Sequence, residues 1–387
     1  MPSNQIMVIA GEPSGDNLAA ELVTEISQAY PGEFCPRFFG LGGARLREAG
    51  VDLLEDMTRN TGFGLVEALK KYRHFKAIFD RALQSAIERQ PDLVILVDFG
   101  GFNLRFARAL RRHLKSVKGN FQNWAPKIVY FVPPQVWASR EGRAATLAET
   151  VDLIVSIFPF ERDWYHERYP SLPVAYVGDP MATRFNSQLD SSEFRAKRAV
   201  GGTPRIAILP GSRKQEVARH LPIILEALER IQNHKPIKAT VVTPNTELCA
   251  PYEHLAGPDV SWQVGNLEAV LRESDLAIAS SGTVTRECAY LRVPTVVIYK
   301  LSRLTYEIAK RIVKVKFIAM PNILADKMVF PELIQETATP TAIAQEAVQL
   351  LEQEGRKELM MDLERVVLSL GPPGATKRAA EAIVKLL

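Results

Sequence analysis

The sequence predicts an α/β protein of two doubly wound, Rossmann-like domains facing a cleft. Three observations lead there. Short apolar runs rich in Val and Ile alternate with helical patterns, as buried parallel strands and their crossover helices do. That alternation occurs twice, on either side of a polar, basic stretch ending in Gly-Gly-Thr-Pro. A chain of 387 residues also exceeds what one hydrophobic core normally organises.

In chain order, the strands of the first half are QIMVIA, RFFG, DLVILVD, KIVYFV, LIVSIF and VAYVG. Those of the second half are RIAILP, KATVVTP, SWQVG, DLAIAS and TVVIYK. Between them, Leu18, Leu22, Val23 and Ile26 mark one helix face, and Leu221, Ile224, Leu225, Leu228 and Ile231 mark another. The boundary falls between Gly178 and Pro204, so we expect domains at 1–185 and 186–370. A final helix at about 371–387 follows GPPGA, a break that would let it return to the first domain.

Composition narrows the function classes. A hydrophobic fraction of 47%, a charged fraction of 24% and a net charge of +4 describe an ordinary soluble protein and give no nucleic-acid signature. Cys35, Cys249 and Cys288 are far apart, which disfavours a disulfide framework and fits a reducing compartment. The first residues read as a strand rather than a signal peptide, and no apolar run is long enough to cross a bilayer. We expect a cytoplasmic protein, with a position on a membrane surface left open. The six histidines form no HExxH or other ligand pairing, so neither metal nor other cofactor is expected.

Ligands of such folds bind beyond the carboxyl ends of the strands, so the loops there carry the functional reading. LPGSRKQE follows a strand and opens a helix; Ser212 and Arg213 could hold an anion at the positive end of that helix, or the segment could be a plain turn. Ser281, Gly282 and Thr283 repeat the design after DLAIAS, with Glu287 one turn into the helix and able to accept from sugar hydroxyls. The alternative there is an ordinary N-cap. Two such loops in one domain favour a diphosphate ligand, although neither is a P-loop or a dinucleotide fingerprint. In the first domain, GEPSGD supplies Ser14, Gly15 and Asp16, with Asp16 readable as a cap or as a sugar ligand. Asp98 ends the buried strand of VDFGGFN and reads as a helix cap or a general base. FVPPQVWASREGR combines Trp137 with Arg140 and Arg143. Leu65, Val66, Leu69, Tyr72 and Phe75 share an apolar stripe beside lysines and arginines, which reads as core packing or as a membrane-facing helix.

The motifs GEPSGD, GFGLVEAL, VDFGGFN, PPQVWAS, FPFE, LPGSRKQEV, SSGTVTRE, MPNILADK and PELIQ, in this order over nearly the whole chain, resemble the lipid-A-disaccharide synthase family, an inverting glycosyltransferase family of GT-B fold. The resemblance implies a UDP-2,3-diacylglucosamine donor, a 2,3-diacylglucosamine 1-phosphate acceptor, a β-1,6 linkage and release of UDP without a metal. It implies a peripheral protein on the inner face of the cytoplasmic membrane, with a homodimer compatible and no nucleic-acid partner. It assigns Asp98 as catalytic base and Ser212, Arg213, Ser281, Gly282, Thr283, Glu287, Asn322 and Gln335 to the donor. It assigns Ser14, Gly15 and Asp16 to the sugars, and the stripe at Leu65, Val66, Leu69, Tyr72 and Phe75 to acyl chains or bilayer. The chain departs from the family at Gly101, Ser139 and Asp179, where a carboxylate, a tryptophan and a histidine are usual. Rival readings are a UDP-sugar epimerase of the same architecture and a UDP-binding homologue with an altered acceptor or lost activity.

Overall fold

The computed structural model describes residues 4–30, 35–57, 65–119, 123–186, 202–255, 257–352 and 356–387; the side chains of residues 65–72 lie outside that description. The chain forms two compact units, Met1–Thr183 with Leu370–Leu387, and Arg184–Ser369.

The first unit is a seven-stranded parallel sheet. Its strands are β1 (Gln5–Ile9), β2 (Arg37–Gly42), β3 (Asp52–Asp56), β4 (Leu93–Val97), β5 (Lys127–Phe131), β6 (Leu153–Ser156) and β7 (Val174–Tyr176). They stand in the order β3-β2-β1-β4-β5-β6-β7. Helices α1 (Pro13–Ala29), α2 (Ala44–Glu48), α3 (Leu65–Arg89), α4 (Gly100–Val117), α5 (Gly142–Thr150) and α6 (Pro159–Arg168) follow successive strands. Every residue of β4 is buried, as an apolar run covered on both faces requires. Met7, Phe39, Ile95 and Tyr130 are among the sealed core side chains.

At the chain's crossing between units, α7 (Met181–Asn186) starts after Asp179, whose carboxylate accepts from Met181 N at 3.1 Å. Asp179 is 1% exposed and its N–H donates to Leu370 O. An aspartate in place of the family's histidine therefore caps a helix.

The second unit is a six-stranded parallel sheet in the order β10-β9-β8-β11-β12-β13. The strands are β8 (Arg205–Leu209), β9 (Lys238–Thr243), β10 (Val260–Val264), β11 (Leu276–Ser280), β12 (Thr295–Tyr299) and β13 (Glu332–Ile334). Its helices are α8 (Lys214–Gln232), α9 (Thr246–Cys249), α10 (Leu267–Glu273), α11 (Thr283–Tyr290), α12 (Arg303–Ile312), α13 (Met320–Ala325), α14 (Pro340–Leu351) and α15 (Arg356–Ser369). Two cores flank this sheet. One packs Leu221, Ile224 and Leu228 of α8 with Ile343 and Ala347 of α14; the other packs Cys288 and Ala289 of α11 with Leu363 of α15.

The last helix, α16 (Ala375–Val384), packs on α1 of the first unit. Thr376 Oγ1 donates to Glu21 Oε2 at 3.3 Å, and Arg378 donates through Nε and Nη2 to Val177 O.

Candidate functional site

In the first unit the strand order reverses between β1 and β4, the topological switch point where ligands of such sheets bind. The two loops leaving it are GEPSGD and VDFGG. They touch: a Cβ added to Gly15 would lie 3.7 Å from that of Asp98. Gly11 has no alternative residue here, because a Cβ would fall 2.3 Å from the Phe99 ring.

Asp98 and Phe99 both adopt left-handed backbone, with φ of 48° and 50°. Two consecutive non-glycine residues there cost about 1–3 kcal/mol each, so the neighbours must over-determine the turn. They do. Asn103, fully buried, donates from Nδ2 to Asp98 O at 2.9 Å and to Val97 O at 3.2 Å. Tyr130 Oη donates to Asp98 O at 2.7 Å, and the Phe99 ring stacks on Phe102 with centroids 5.2 Å apart. Burial, and then the nearby Asp98 carboxylate, push the Tyr130 phenol far above its ordinary pKa. The phenol therefore stays a donor. Asn103 and Tyr130 were missed from sequence as supports. The Asn of GGFN, three residues after the first helical glycine, was the available signal.

In the second unit the reversal lies between β8 and β11, so the loops there are LPGSRKQE and SSGT. Their local chemistry differs from the expectation of two equivalent entrances. At α8, Glu216 folds back, and its Oε2 accepts from Ser212 N at 3.1 Å and Arg213 N at 3.3 Å. Gly211, with φ of 126°, permits this; a Cβ would lie 2.6 Å from Glu216 Oε2. The backbone N–H groups expected to hold an anion thus serve a capping box. The Arg213 guanidinium, 63% exposed, pairs with Glu216 Oε1 at 3.4 Å, and the Ser212 side chain is exposed. At α11, by contrast, no side chain caps the helix, Gly282 has open space above it, and Thr283 is exposed. The α11 entrance is the open one.

One further group holds this edge. His220, 0% exposed, donates from Nδ1 to Pro210 O at 2.7 Å and accepts at Nε2 from Lys300 N at 2.9 Å. That pair of bonds fixes the neutral tautomer, and burial lowers its pKa accordingly. The ring ties the β8 loop to the end of β12. A cavity of about 590 Å³ lies beside α11, lined by Arg184, Gly265, Asn266, Glu268, Arg272 and Glu287. Gly265 and Asn266 are both left-handed, which turns the β10–α10 loop toward it. The Gly-Asn pair was the sequence signal for this wall, and it was overlooked; Glu287 was expected.

Several assigned residues turn out to be scaffold. Asn322 is 0% exposed; Oδ1 accepts from Val329 N and Phe330 N, and Nδ2 donates to Phe330 O and Glu332 Oε1. All four of its hydrogen-bonding capacities are used, so none is left for a donor substrate. Glu332 also accepts from Ile318 N and Ala319 N, and burial raises its pKa even though these bonds oppose the rise. Ser281 Oγ donates to Ile318 O at 2.7 Å, so this network braces the α11 entrance. Gln335, 5% exposed, pairs through both side-chain ends with the Leu301 backbone. Asp16, 3% exposed, accepts from Gly43, Arg45 and Leu46 N–H groups and so caps α2 instead of facing sugar. Ser14 is exposed and Gly15 buried. Leu65, Val66, Leu69 and Tyr72 lie outside the described side chains, whereas Phe75 is half-buried and packs on the first unit's core. Trp137, 8% exposed, is packed as well, with Nε1 donating to the buried Glu161 at 2.8 Å.

Comparison with known proteins agrees with this architecture. A family model described as lipid-A-disaccharide synthetase matches residues 6–386. A lipid-A-disaccharide synthase of Geobacter sulfurreducens is 35% identical over 391 residues, spanning 100% of this chain and 98% of that protein. Among solved structures, a UDP-GlcNAc 2-epimerase from Neisseria meningitidis bound to UDP-GlcNAc superposes with a TM-score of 0.64 at 13% identity, covering 98% of this chain and 99% of that one. The glycotransferase of kitacinnamycin gives 0.60 at 16% identity, covering 100% and 99%. These structural likenesses show the two-unit fold common to GT-B glycosyltransferases and such epimerases. The full-length sequence match decides between them: the chain belongs to the lipid-A-disaccharide synthetase family.

Proposed function

We propose that this chain transfers 2,3-diacylglucosamine from its UDP donor to the 6-hydroxyl of 2,3-diacylglucosamine 1-phosphate, forming the β-1,6 disaccharide and releasing UDP. The observation that carries this reading is family membership at 35% identity across the whole chain. The epimerase alternative rests on fold alone at 13% identity and is not favoured.

In this account Asp98 takes the proton from the acceptor hydroxyl as that oxygen bonds to the anomeric carbon, and the anomeric C–O bond to UDP breaks with inversion. The diphosphate gains charge as it leaves. The uncapped N-terminus of α11, the hydroxyls of Ser212 and Thr283, and the Arg213 guanidinium supply the compensating donors. The cavity beside Glu287 suits the nucleoside, with that carboxylate accepting from ribose hydroxyls. Removing one charged donor to phosphate typically costs a factor of about 10 to 100 in affinity. Arg213→Ala is therefore expected to weaken UDP binding by that factor in calorimetry. An unchanged Kd would remove Arg213 from the site.

We further place the protein peripherally on the inner face of the cytoplasmic membrane. No helix among the described residues is long and apolar enough to cross a membrane. In α12 no residue is buried; Leu304 is 75% and Ile308 51% exposed on one face, beside Arg303, Lys310 and Arg311. A short helix of this kind suits an anionic bilayer surface. The double substitution Leu304→Ser and Ile308→Ser is expected to abolish co-flotation with vesicles containing anionic phospholipid; flotation equal to the parent chain would contradict it.

A further inference from the structure

The segment WASREGR contributes nothing to the chemistry above beyond a packed tryptophan, yet its arginines stand in an unusual arrangement. Helices α4 and α5 run side by side from the carboxyl edge of β4 and β5, joined by rungs. Arg111 Nε donates to Thr150 O at 2.9 Å, and one turn nearer that edge Arg108 Nη2 donates to Thr146 Oγ1 at 2.6 Å. Helical spacing makes Arg105 and Arg143 the next rung, closest to the edge where Asp98 ends β4. That rung has no acceptor in it.

Arg140 joins it from the preceding turn, held in left-handed backbone at φ 57°, with its carbonyl accepting from Arg143 N at 2.9 Å. None of the three guanidinium groups has an ion-pair or hydrogen-bond partner among the described residues. The one acid within the segment, Glu141, is drawn to Arg168 at 3.1 Å. Burial, then Arg140 and Arg105, depress the Arg143 pKa below its ordinary value, as three like charges gathered without a counter-ion must. The N-terminus of α5 adds to the same sign: no side chain caps it, and Gly142 has open space where a Cβ would be. The cluster is also close to the proposed base. Tyr130, whose hydroxyl donates to Asp98 O, lies within electrostatic reach of both the Asp98 carboxylate and Arg143.

Uncompensated cations that repel one another at the mouth of a site are explained by an anion that is not part of the chain. Planar guanidinium forks and free helix N–H groups select phosphate oxygens. We propose that Arg105, Arg140 and Arg143 form a phosphate-binding corner that grips the 1-phosphate of the acceptor sugar, selecting the phosphorylated acceptor and aiming its 6-hydroxyl at Asp98. This inference rests on the disaccharide-forming reading given above, and it names a subsite for the acceptor end that carries no reacting bond.

The experiment compares two acceptors, diacylglucosamine with and without its 1-phosphate, on the parent chain and on Arg143→Ala and Arg105→Ala. The parent is expected to prefer the phosphorylated acceptor. Each variant should raise the KM for that acceptor by about tenfold to a hundredfold, leave the donor KM within about twofold, and match the parent on the acceptor lacking phosphate. Arg143→Lys, which keeps the charge and loses the fork, should fall between. An equal loss on both acceptors, or an unchanged KM for the phosphorylated acceptor in both variants, overturns the proposal, the former by showing a structural role. Co-flotation with anionic vesicles separates the other phosphate source. It is expected to be unchanged in the variants; if they lose vesicle binding and keep the acceptor preference, the corner holds lipid headgroups and the proposal falls. Should the parent chain form no disaccharide at all, the functional reading fails independently. Phosphorus NMR titration with glucosamine 1-phosphate then still judges the corner, by whether Arg143→Ala abolishes a saturable shift.

Discussion

Asp98→Asn is expected to lower turnover by about a hundredfold to ten-thousandfold, the usual contribution of a general base, while leaving the UDP Kd within about twofold. The substitution suits the local backbone. Asp98 sits at φ 48°, a region that Asn also tolerates, so the turn held by Asn103 and Tyr130 should survive. Asp98→Ala would be a poorer test, because alanine strains that conformation and confounds chemistry with folding. Single-turnover rates measure the first effect and calorimetry the second. The split is expected because Asp98, the proposed base, lies in the first unit, whereas Ser212, Arg213 and Thr283, proposed to hold the diphosphate, lie in the second. Turnover equal to the parent would remove Asp98 as base.

Asn322→Ala is expected to give the largest stability loss, roughly 3–5 kcal/mol. The methyl group cannot replace four hydrogen bonds at a site with no solvent access, so Val329 N, Phe330 N and Phe330 O are all stranded. Glu332 also loses a donor where burial already disfavours its charge. For a unit of this size the melting temperature of its transition should fall by about 10 °C in scanning calorimetry. UDP affinity should weaken only through the loosened Ser281 contact with Ile318. A variant that melts like the parent but loses UDP binding would restore Asn322 to the donor site and refute the scaffold role.

Those two positions also show what the sequence could disclose. Asp98 stood out because a carboxylate ends a wholly apolar run just before two glycines, a pattern that reads as a helix cap or a general base. The alternation of apolar runs and helices located eleven strands, while β3 and β13 escaped. Both are sheet edges, one reading DLLED and the other only three residues long, so neither shows the apolar signature of a strand covered on both faces. The loops at both switch points were found for the same reason that Asp98 was: glycine and hydroxyl residues interrupt apolar strands there.

What a motif could not reveal was where each hydrogen-bonding capacity goes. Glu216 was quoted as part of LPGSRKQE, yet nothing in its spacing told whether its carboxylate would face solvent or fold back onto Ser212 and Arg213. Gln335 and Asp16 are polar residues in functional-looking motifs whose partners are backbone groups far along the chain, and Asn322 spends its bonds on Val329, Phe330 and Glu332 beyond the end of its own motif. His220 was dismissed as one of six scattered histidines because the carbonyl and N–H that fix it come from two other segments. Such accounting is tertiary and becomes visible only when donors and acceptors are paired one by one.

The proposed activity is the joining of two diacylglucosamine units by a glycosidic bond, with Asp98 as the proposed base. Its most direct test is to incubate the purified protein with UDP-2,3-diacylglucosamine and 2,3-diacylglucosamine 1-phosphate and follow products by mass spectrometry. The account predicts one disaccharide phosphate for every UDP released, with no product when either substrate is omitted. Absence of the disaccharide, together with epimerisation of a soluble UDP-sugar in the absence of any acceptor, would contradict it.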